Sequence, residues 1–412
     1  MANVSLVEHD AAEQVWLLPE VLHGKDTSSP ADFLALDLLL TPAERSERDA
    51  VRQFVETELK PHTRDWFKTR PPLRELTKLF GRHRMFGRLI GESAARIPPA
   101  VSFGLQMLEL EAGDTAFRQL VSTQDNLVMF ALAEYGSPDQ RSEWLPQLAT
   151  GEAVGCFALT EPNAGSDIAG MQTVARRDGP DWVLNGSKRW ITNGVDADIA
   201  IVWAKTDDGI RGFVVPTRTT GFSAVDIGDK VAMRHSSSTE LSLSDVRLPA
   251  SALLPLALGP RAPLSCTSEA RYGILWGAAG AARDCFLAAL ERSLARTQFG
   301  RPLANFQLTQ QRLAVMCSKV GHATMLAIHL GRLREQGCVT AAQLSLGKLQ
   351  NVQAGLEVAR EARALHGGDG ITLEFAPIRH MINLEAVSTY EGTHEIHTLA
   401  VGRALTGIDA FR

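Results

Sequence analysis

The 412-residue chain is poor in cysteine, and the few it has are unorganised. Cys156, Cys266, Cys285, Cys317 and Cys338 are scattered, odd in number and without a CxxC pair. That pattern argues against a disulfide framework or a zinc knuckle and for buried thiols in a reducing compartment. Charge of one sign is lacking too: at a formal net charge of −5, nothing points to nucleic acid or an anionic membrane as the main partner. No continuous apolar run approaches the roughly 20 residues of a membrane helix. The start, MANVSLVEHDAAEQVWLLPEV, has no basic region leading into an apolar core, so a cytoplasmic location is expected. Internal repeats and low-complexity tracts are absent. Strands do not alternate with helices, which excludes a doubly wound nucleotide-binding sheet.

What is present is an ordinary globular composition, 45% apolar and 22% charged, in a chain long enough for two or three domains. Residues 1–40 read as an N-terminal extension containing the polar linker HGKDTSSPAD. Residues 41–155 read as a helical domain. It opens at TPAE, with Thr41 as N-cap, Pro42 in the first turn and Glu44 closing a capping box. Between 156 and 258 the period changes to that of strands. WVLNGSKRWITN predicts a hairpin at Asn185-Gly186, VWAKTDDGIRGFVV another at Asp208-Gly209, and IAIVWA and STELSLSDVRL further strands. Residues 259–412 are helical again, with three long apolar-faced segments, a capping box at Thr340 and Gln343, and a helix stop at Gly367. GAAGAA at Gly277 lies inside a helix with no strand before it and is not a dinucleotide fingerprint.

Three stretches carry candidate chemistry. CFALTEPNAGSD (Cys156–Asp167) is a strand running into a turn of small hydroxyls and backbone N–H groups, able to meet a polar ring edge or simply to turn the chain. In RWITN, Trp190 is either a cover for an aromatic face or a core residue. TYEGTHEIH (Thr389–His397) is either a small metal site built on His394 and His397, or one carboxylate, Glu391, on a turn before a helix. No further metal ligands are recognisable nearby.

TEPNAGSD followed about two dozen residues later by WITN resembles the acyl-CoA dehydrogenase family over roughly residues 40–412. The ending NLEAVSTYEGTHEIHTLAVGRALTGIDAF and EARYGILWG are most similar to its glutaryl-CoA dehydrogenase branch. The resemblance implies a mainly α fold with a central all-β, barrel-like domain between an N-terminal helical domain and a C-terminal four-helix bundle. It implies FAD as cofactor, hydride transfer from the substrate Cβ to flavin N5, and Glu391 as the base that takes the Cα proton. By the same resemblance Phe157, Leu159, Thr160, Gly165, Ser166, Trp190, Ile191 and Thr192 line flavin and substrate, with Gly392, Thr393 and Glu395 touching flavin after the base. Arg296, Phe299 and Gln307 reach a neighbouring subunit's flavin, Gly367 and Gly368 turn against its pyrophosphate or adenosine, and Arg271 packs near the base. A flavin shared between chains implies a homotetramer built as a dimer of dimers, and electron transfer flavoprotein is the expected acceptor.

Glu111, Arg118 and Ser122, spaced by seven and four, are expected on one helix face. In the glutaryl-CoA branch the matching residues line the far end of the acyl pocket, with Tyr390 beside the base. The resemblance therefore implies oxidation of glutaryl-CoA and decarboxylation to crotonyl-CoA. The sequence departs from the branch at FGRLIGESAARIPPA, where a glycine-rich loop is usual, at Ser268 and at Ala364. Lys78, Arg82, Arg84, Arg88 and Arg96 form a basic cluster, either a salt-bridged face or a receiver for CoA phosphates or an acyl carrier protein. Alternatives are a dehydrogenase for another carboxyacyl thioester, an oxidase of the same fold, and a catalytically silent binding protein.

Overall fold

The computed structural model describes residues 29–88 and 99–411. Most of the extension and of FGRLIGESAARIPPA, with Arg96, lies outside the described residues. The first helices are α1 (Pro42–Phe54), α2 (Thr63–Thr69), α3 (Leu73–Arg82), α4 (Ala100–Gly113) and α5 (Thr115–Val121). A π-helical stretch (Ser122–Met129) leads to α6 (Phe130–Tyr135) and α7 (Pro138–Thr150). The capping box at the start of α1 forms as expected: Glu44 N donates to Thr41 Oγ1 (3.2 Å) and Thr41 N to Glu44 Oε2 (2.7 Å). α4 is buried on every side.

The middle module holds β1 (Gly155–Ala158), β2 (Val174–Asp178), β3 (Asp181–Thr192), β4 (Ile199–Thr206), β5 (Gly209–Pro216), β6 (Phe222–Asp226) and β7 (Ser238–Leu248). They form one curled mixed sheet in the order β1-β4-β2-β3-β7-β6, with β5 on β4. The hairpin expected at Asn185-Gly186 is not there. β3 runs straight through it, with a bulge against β7 between Leu184 and Gly186. Gly186 is needed all the same: its φ is +152°, and a Cβ would sit 2.4 Å from Thr173 Oγ1. A bulge needs the same backbone freedom as a tight turn, so Asn-Gly signals either. The chain reverses instead at Gly179-Pro180, between the paired Asp178 and Asp181. The second hairpin exists and turns one residue earlier than expected, at Asp207-Asp208, with Gly209 at φ +95°.

Then follow α8 (Arg261–Ala295), a two-residue-strand hairpin of β8 (Thr297–Gln298) and β9 (Arg301–Pro302), α9 (Gln307–Glu335), α10 (Ala341–Leu365), α11 (Ala376–Val387) and α12 (His394–Thr406). The Thr340/Gln343 capping box closes the start of α10, and Gly367, at φ +63°, ends it. By average hydropathy α8 and α9 each contain a stretch apolar enough to cross a bilayer, which a search for continuous runs misses. In α8 that stretch is 72% buried in the fold, in α9 33%.

GAAGAA has a packing role. A Cβ on Gly280 would lie 1.9 Å from Leu108 O, and one on Gly277 would lie 2.0 Å from Glu111 Oε2. α8 therefore presses directly on α4, and the Glu111 carboxylate sits against its backbone. Gly277→Ala is expected to lower stability by about 1–3 kcal/mol, read as a drop in thermal midpoint. Gly402→Ala in α12, where a Cβ meets nothing within 4 Å, serves as the neutral control. Equal midpoints for the two variants would contradict the close approach.

Candidate active site

Glu391 lies in the connection between α11 and α12, at φ +55°, followed by Gly392 at φ +94°. Non-glycine residues rarely adopt such a backbone, and it persists where surrounding contacts over-determine it. Here three basic side chains hold three successive carbonyls. Lys348 of α10 donates to Tyr390 O and to Gly392 O (2.6 Å for the latter). Arg271 of α8 donates through Nε to Glu391 O (3.1 Å), and His397 Nε2 donates to the same oxygen (3.2 Å). Thr393 caps α12, its Oγ1 accepting from Ile396 N (3.3 Å).

The Glu391 carboxyl is half inside: Oε2 is shielded from solvent and has no hydrogen-bond partner among the described residues. Burial pushes its pKa up, opposed by the charges of Lys348, Arg271 and Arg118. His397 is driven down to about 3 by burial, so the ring facing Glu391 O is neutral. Of the two histidines in TYEGTHEIH, His394 is exposed and His397 braces the turn.

Glu111, Arg118 and Ser122 do come together, though not on one continuous helix. Asp114 is extended (φ −168°, ψ 147°), ends α4, and caps α5 by accepting from Ala116 N (2.9 Å). Arg118 Nε nevertheless donates to Glu111 Oε2 (2.7 Å), and Nη2 donates to Tyr390 Oη (2.5 Å). Thr115 Oγ1 donates to the other Glu111 oxygen (3.0 Å). Arg118 is 1% exposed, and its Nη1 has no partner among the described residues. Ser122 is buried at the start of the π-helical stretch, a distortion common at functional sites. Lys348, Arg271 and Arg118 thus all act on the Glu391 carboxyl, and Arg118 is shared with Glu111.

The strand residues form a neighbouring wall. Phe157, Leu159 and Ile191 are buried, while Thr160 and Thr192 are partly so. Thr192 Oγ1 accepts from Gln119 Nε2 of α5 (2.8 Å), joining the sheet to the helix that carries Arg118. Gly165 and Ser166 are exposed, with open space where a Gly165 side chain would be. Trp190 is no core residue: it is 54% exposed at φ +63°. A strained, exposed indole suits a planar ring stacked from outside.

The remaining candidate residues lie elsewhere. Arg296 and Gln307 are exposed around the β8–β9 hairpin, with Phe299 at its tip at φ +51° and 94% exposed. Gly367 and Gly368 are exposed beyond α10, and an Arg292–Asp369 ion pair ties that turn to the end of α8. Lys348 and Gly367 are 19 residues apart along α10, roughly 28 Å. Glu395, in the first turn of α12, is exposed, and its carboxyl is lowered by hydrogen bonds from its own backbone N–H and from Thr393. Ser268 donates back to Leu264 O (2.9 Å) and receives a long contact from Arg271 (3.4 Å); Ala364 is half-buried on α10. In the basic cluster Lys78 pairs with Glu152 (3.0 Å) and Arg88 with Glu47 (3.4 Å), while Arg82 and Arg84 are exposed.

Sequence reasoning missed two lysines. Lys348 sits among Leu344, Val352 and Leu356 on the buried face of α10, and a charged residue at an apolar position was the available signal. Lys188, buried just before RWITN, donates to Glu161 Oε1 (2.8 Å) and Leu159 O (3.1 Å), tying together the two strand motifs.

The sequence matches the family profiles of the acyl-CoA dehydrogenase N-terminal domain (residues 41–152), middle domain (156–246) and C-terminal domain (259–406). A short-chain-specific acyl-CoA dehydrogenase of Clostridium acetobutylicum is 31% identical over 89% of this chain and 98% of its own. A Mycobacterium smegmatis glutaryl-CoA dehydrogenase, solved in complex with FADH2, is 53% identical with a TM-score of 0.91, over 94% of this chain and all of the other. The glutaryl-coenzyme A dehydrogenase solved as its glutaryl-CoA complex is 26% identical with a TM-score of 0.85, over 90% and 98% of the two chains.

Proposed function

The chain belongs to the acyl-CoA dehydrogenase family of FAD-dependent oxidoreductases, and we propose that the thioester it oxidises is glutaryl-CoA, carried on to crotonyl-CoA and CO2. The carrying observation is Arg118: a buried guanidinium whose Nη1 has no partner among the described residues, one helical turn before buried Ser122 and joined through Tyr390 to the Glu391 turn. A planar fork of donors suits a substrate carboxylate. The high identity to a glutaryl-CoA dehydrogenase supports the same reading, while the short-chain relatives near 31% share only the general chemistry.

In this reading Glu391, ionised, takes the Cα proton of the thioester. Its backbone N–H has no partner among the described residues and is free to meet the thioester carbonyl, stabilising the charge that develops there. Phe157, Leu159, Thr160, Gly165, Ser166, Trp190, Ile191 and Thr192 would hold the flavin from the strand side, with Thr393 and Glu395 beyond the base. Bound FAD supplies the hydride acceptor. Arg118 and Ser122 hold the distal carboxylate until it leaves as CO2. Glu391, now protonated, then returns a proton to the remaining dienolate.

Arg296, Phe299, Gln307, Gly367 and Gly368 serve a neighbouring chain's FAD in this reading: the first three sit on or beside the exposed β8–β9 hairpin, and the two glycines lie beyond the end of α10, far from Lys348 and the Glu391 turn. Exposed Leu308, Val315 and Met325 on α9, with Phe299, suit a homotetramer interface. Electron transfer flavoprotein is the proposed electron acceptor.

The test is anaerobic mixing of the purified flavoprotein with butyryl-CoA, hexanoyl-CoA and glutaryl-CoA, followed by mass analysis of the products. Glutaryl-CoA is expected to bleach the flavin fastest and to yield crotonyl-CoA. A preference for butyryl-CoA, or glutaconyl-CoA as the end product, would overturn the assignment.

A further inference from the structure

We propose that Lys348 is a positioning residue for the Glu391 base, its ammonium spanning the carbonyls on either side of that residue and so holding the turn that aims the carboxylate. This rests on Glu391 being the base and not on the identity of the acyl chain. Lys348 is 1% exposed on the buried face of α10, with Leu344 and Val352 one turn to either side. Lysine is almost never buried without a specific partner. Its partners here are Tyr390 O and Gly392 O, one residue before and one after Glu391.

The geometry explains why one side chain suffices. Two oxygens bonded to the same nitrogen lie within about 5.5 Å of each other. In an extended strand, carbonyls two residues apart are roughly 6.6–6.8 Å apart, beyond the reach of one ammonium. Both bonds form only if the chain is compressed at Glu391, which is the left-handed turn observed. Arg271 and His397 grip the Glu391 carbonyl, whereas Lys348 bridges the two flanking ones. Without Lys348 those two carbonyls lose this shared donor, and the turn can relax.

Lys348 also acts through charge. Among the described residues, the charged or titratable groups around Glu391 are Lys348 on α10, Arg271 and the Cys266 thiol on α8, Arg118 on α5, His397 on α12 and the adjoining Tyr390. Burial pushes Glu391 up, and Lys348 is the foremost charge opposing it. Burial in turn lowers Lys348, and the Glu391 carboxylate opposes that.

The experiment compares wild type, Lys348→Met, Lys348→Arg and Glu391→Gln as FAD-loaded holoenzymes. Anaerobic flavin reduction by butyryl-CoA and glutaryl-CoA is followed across pH. Lys348→Met is expected to keep FAD and thioester affinity but to reduce flavin about a hundredfold more slowly. The acidic limb of its pH profile should move to higher pH, because the base has lost its foremost cation. Lys348→Arg, which keeps charge and donors, should recover part of the rate. A Lys348→Met enzyme with wild-type rate and limb overturns the proposal. So does loss of FAD and fold in both lysine variants, which would leave Lys348 a structural role alone. If Glu391→Gln itself stays active, the base assignment fails and the positioning role falls with it.

Discussion

Glu391→Gln is expected to slow flavin reduction by every thioester about ten-thousandfold, the upper range for loss of a positioned general base. The purified variant should remain yellow, because no residue of the strand wall is touched. Glutamine preserves shape, so it isolates the loss of the proton acceptor. In the wild type the rate should fall as pH drops, since only the ionised carboxylate accepts a proton. That fall should centre above the 4.5 of an ordinary glutamate, because burial of Glu391 disfavours its charged form more than Lys348, Arg271 and Arg118 restore it. Stopped-flow reduction across pH reads both effects. An active glutamine variant, or a limb in the ordinary glutamate range, would show that some other group takes the proton.

Arg118→Gln separates the acyl chain from the shared chemistry. For glutaryl-CoA, kcat/KM should fall about a thousandfold, or ~4 kcal/mol, within the range for truncating one partner of a buried charged hydrogen bond. For butyryl-CoA, which has no distal carboxylate, the loss should stay within about tenfold. The substitution also strands Glu111, which is fully buried and whose Oε2 accepts from Arg118 Nε, and breaking such a pair costs about 3–5 kcal/mol of stability. Glu111→Gln/Arg118→Gln removes the stranded charge and should restore much of the melting temperature without restoring glutaryl-CoA turnover. If the ratio of glutaryl-CoA to butyryl-CoA turnover is the same as in wild type, Arg118 does not read the carboxylate.

The three-part order of elements was legible because each rests on local physics. Capping boxes at Thr41 and Thr340 and apolar periodicity along α8, α9 and α10 are properties of consecutive residues. Asn185-Gly186 misled for the same reason. It reports backbone freedom, and only the pairing with β7 and the closeness of Thr173 turn that freedom into a bulge. The helical wheel through Glu111, Arg118 and Ser122 found the right neighbours through the wrong geometry. Asp114 breaks the helix, and the pair survives because α5 continues beside α4.

The family and the cofactor were thus determined by the sequence alone, since TEPNAGSD, WITN and TYEG are short contiguous signals. Which charges meet was decided only by tertiary structure. Arg118 and Tyr390 are 272 residues apart in the chain, and Lys348 and Gly392 are 44 apart. A buried lysine in an apolar pattern declares that it needs a partner but does not name one. The partner is chosen by how α10 packs against the turn after α11, and that depends on the close seating of helices from both ends of the chain.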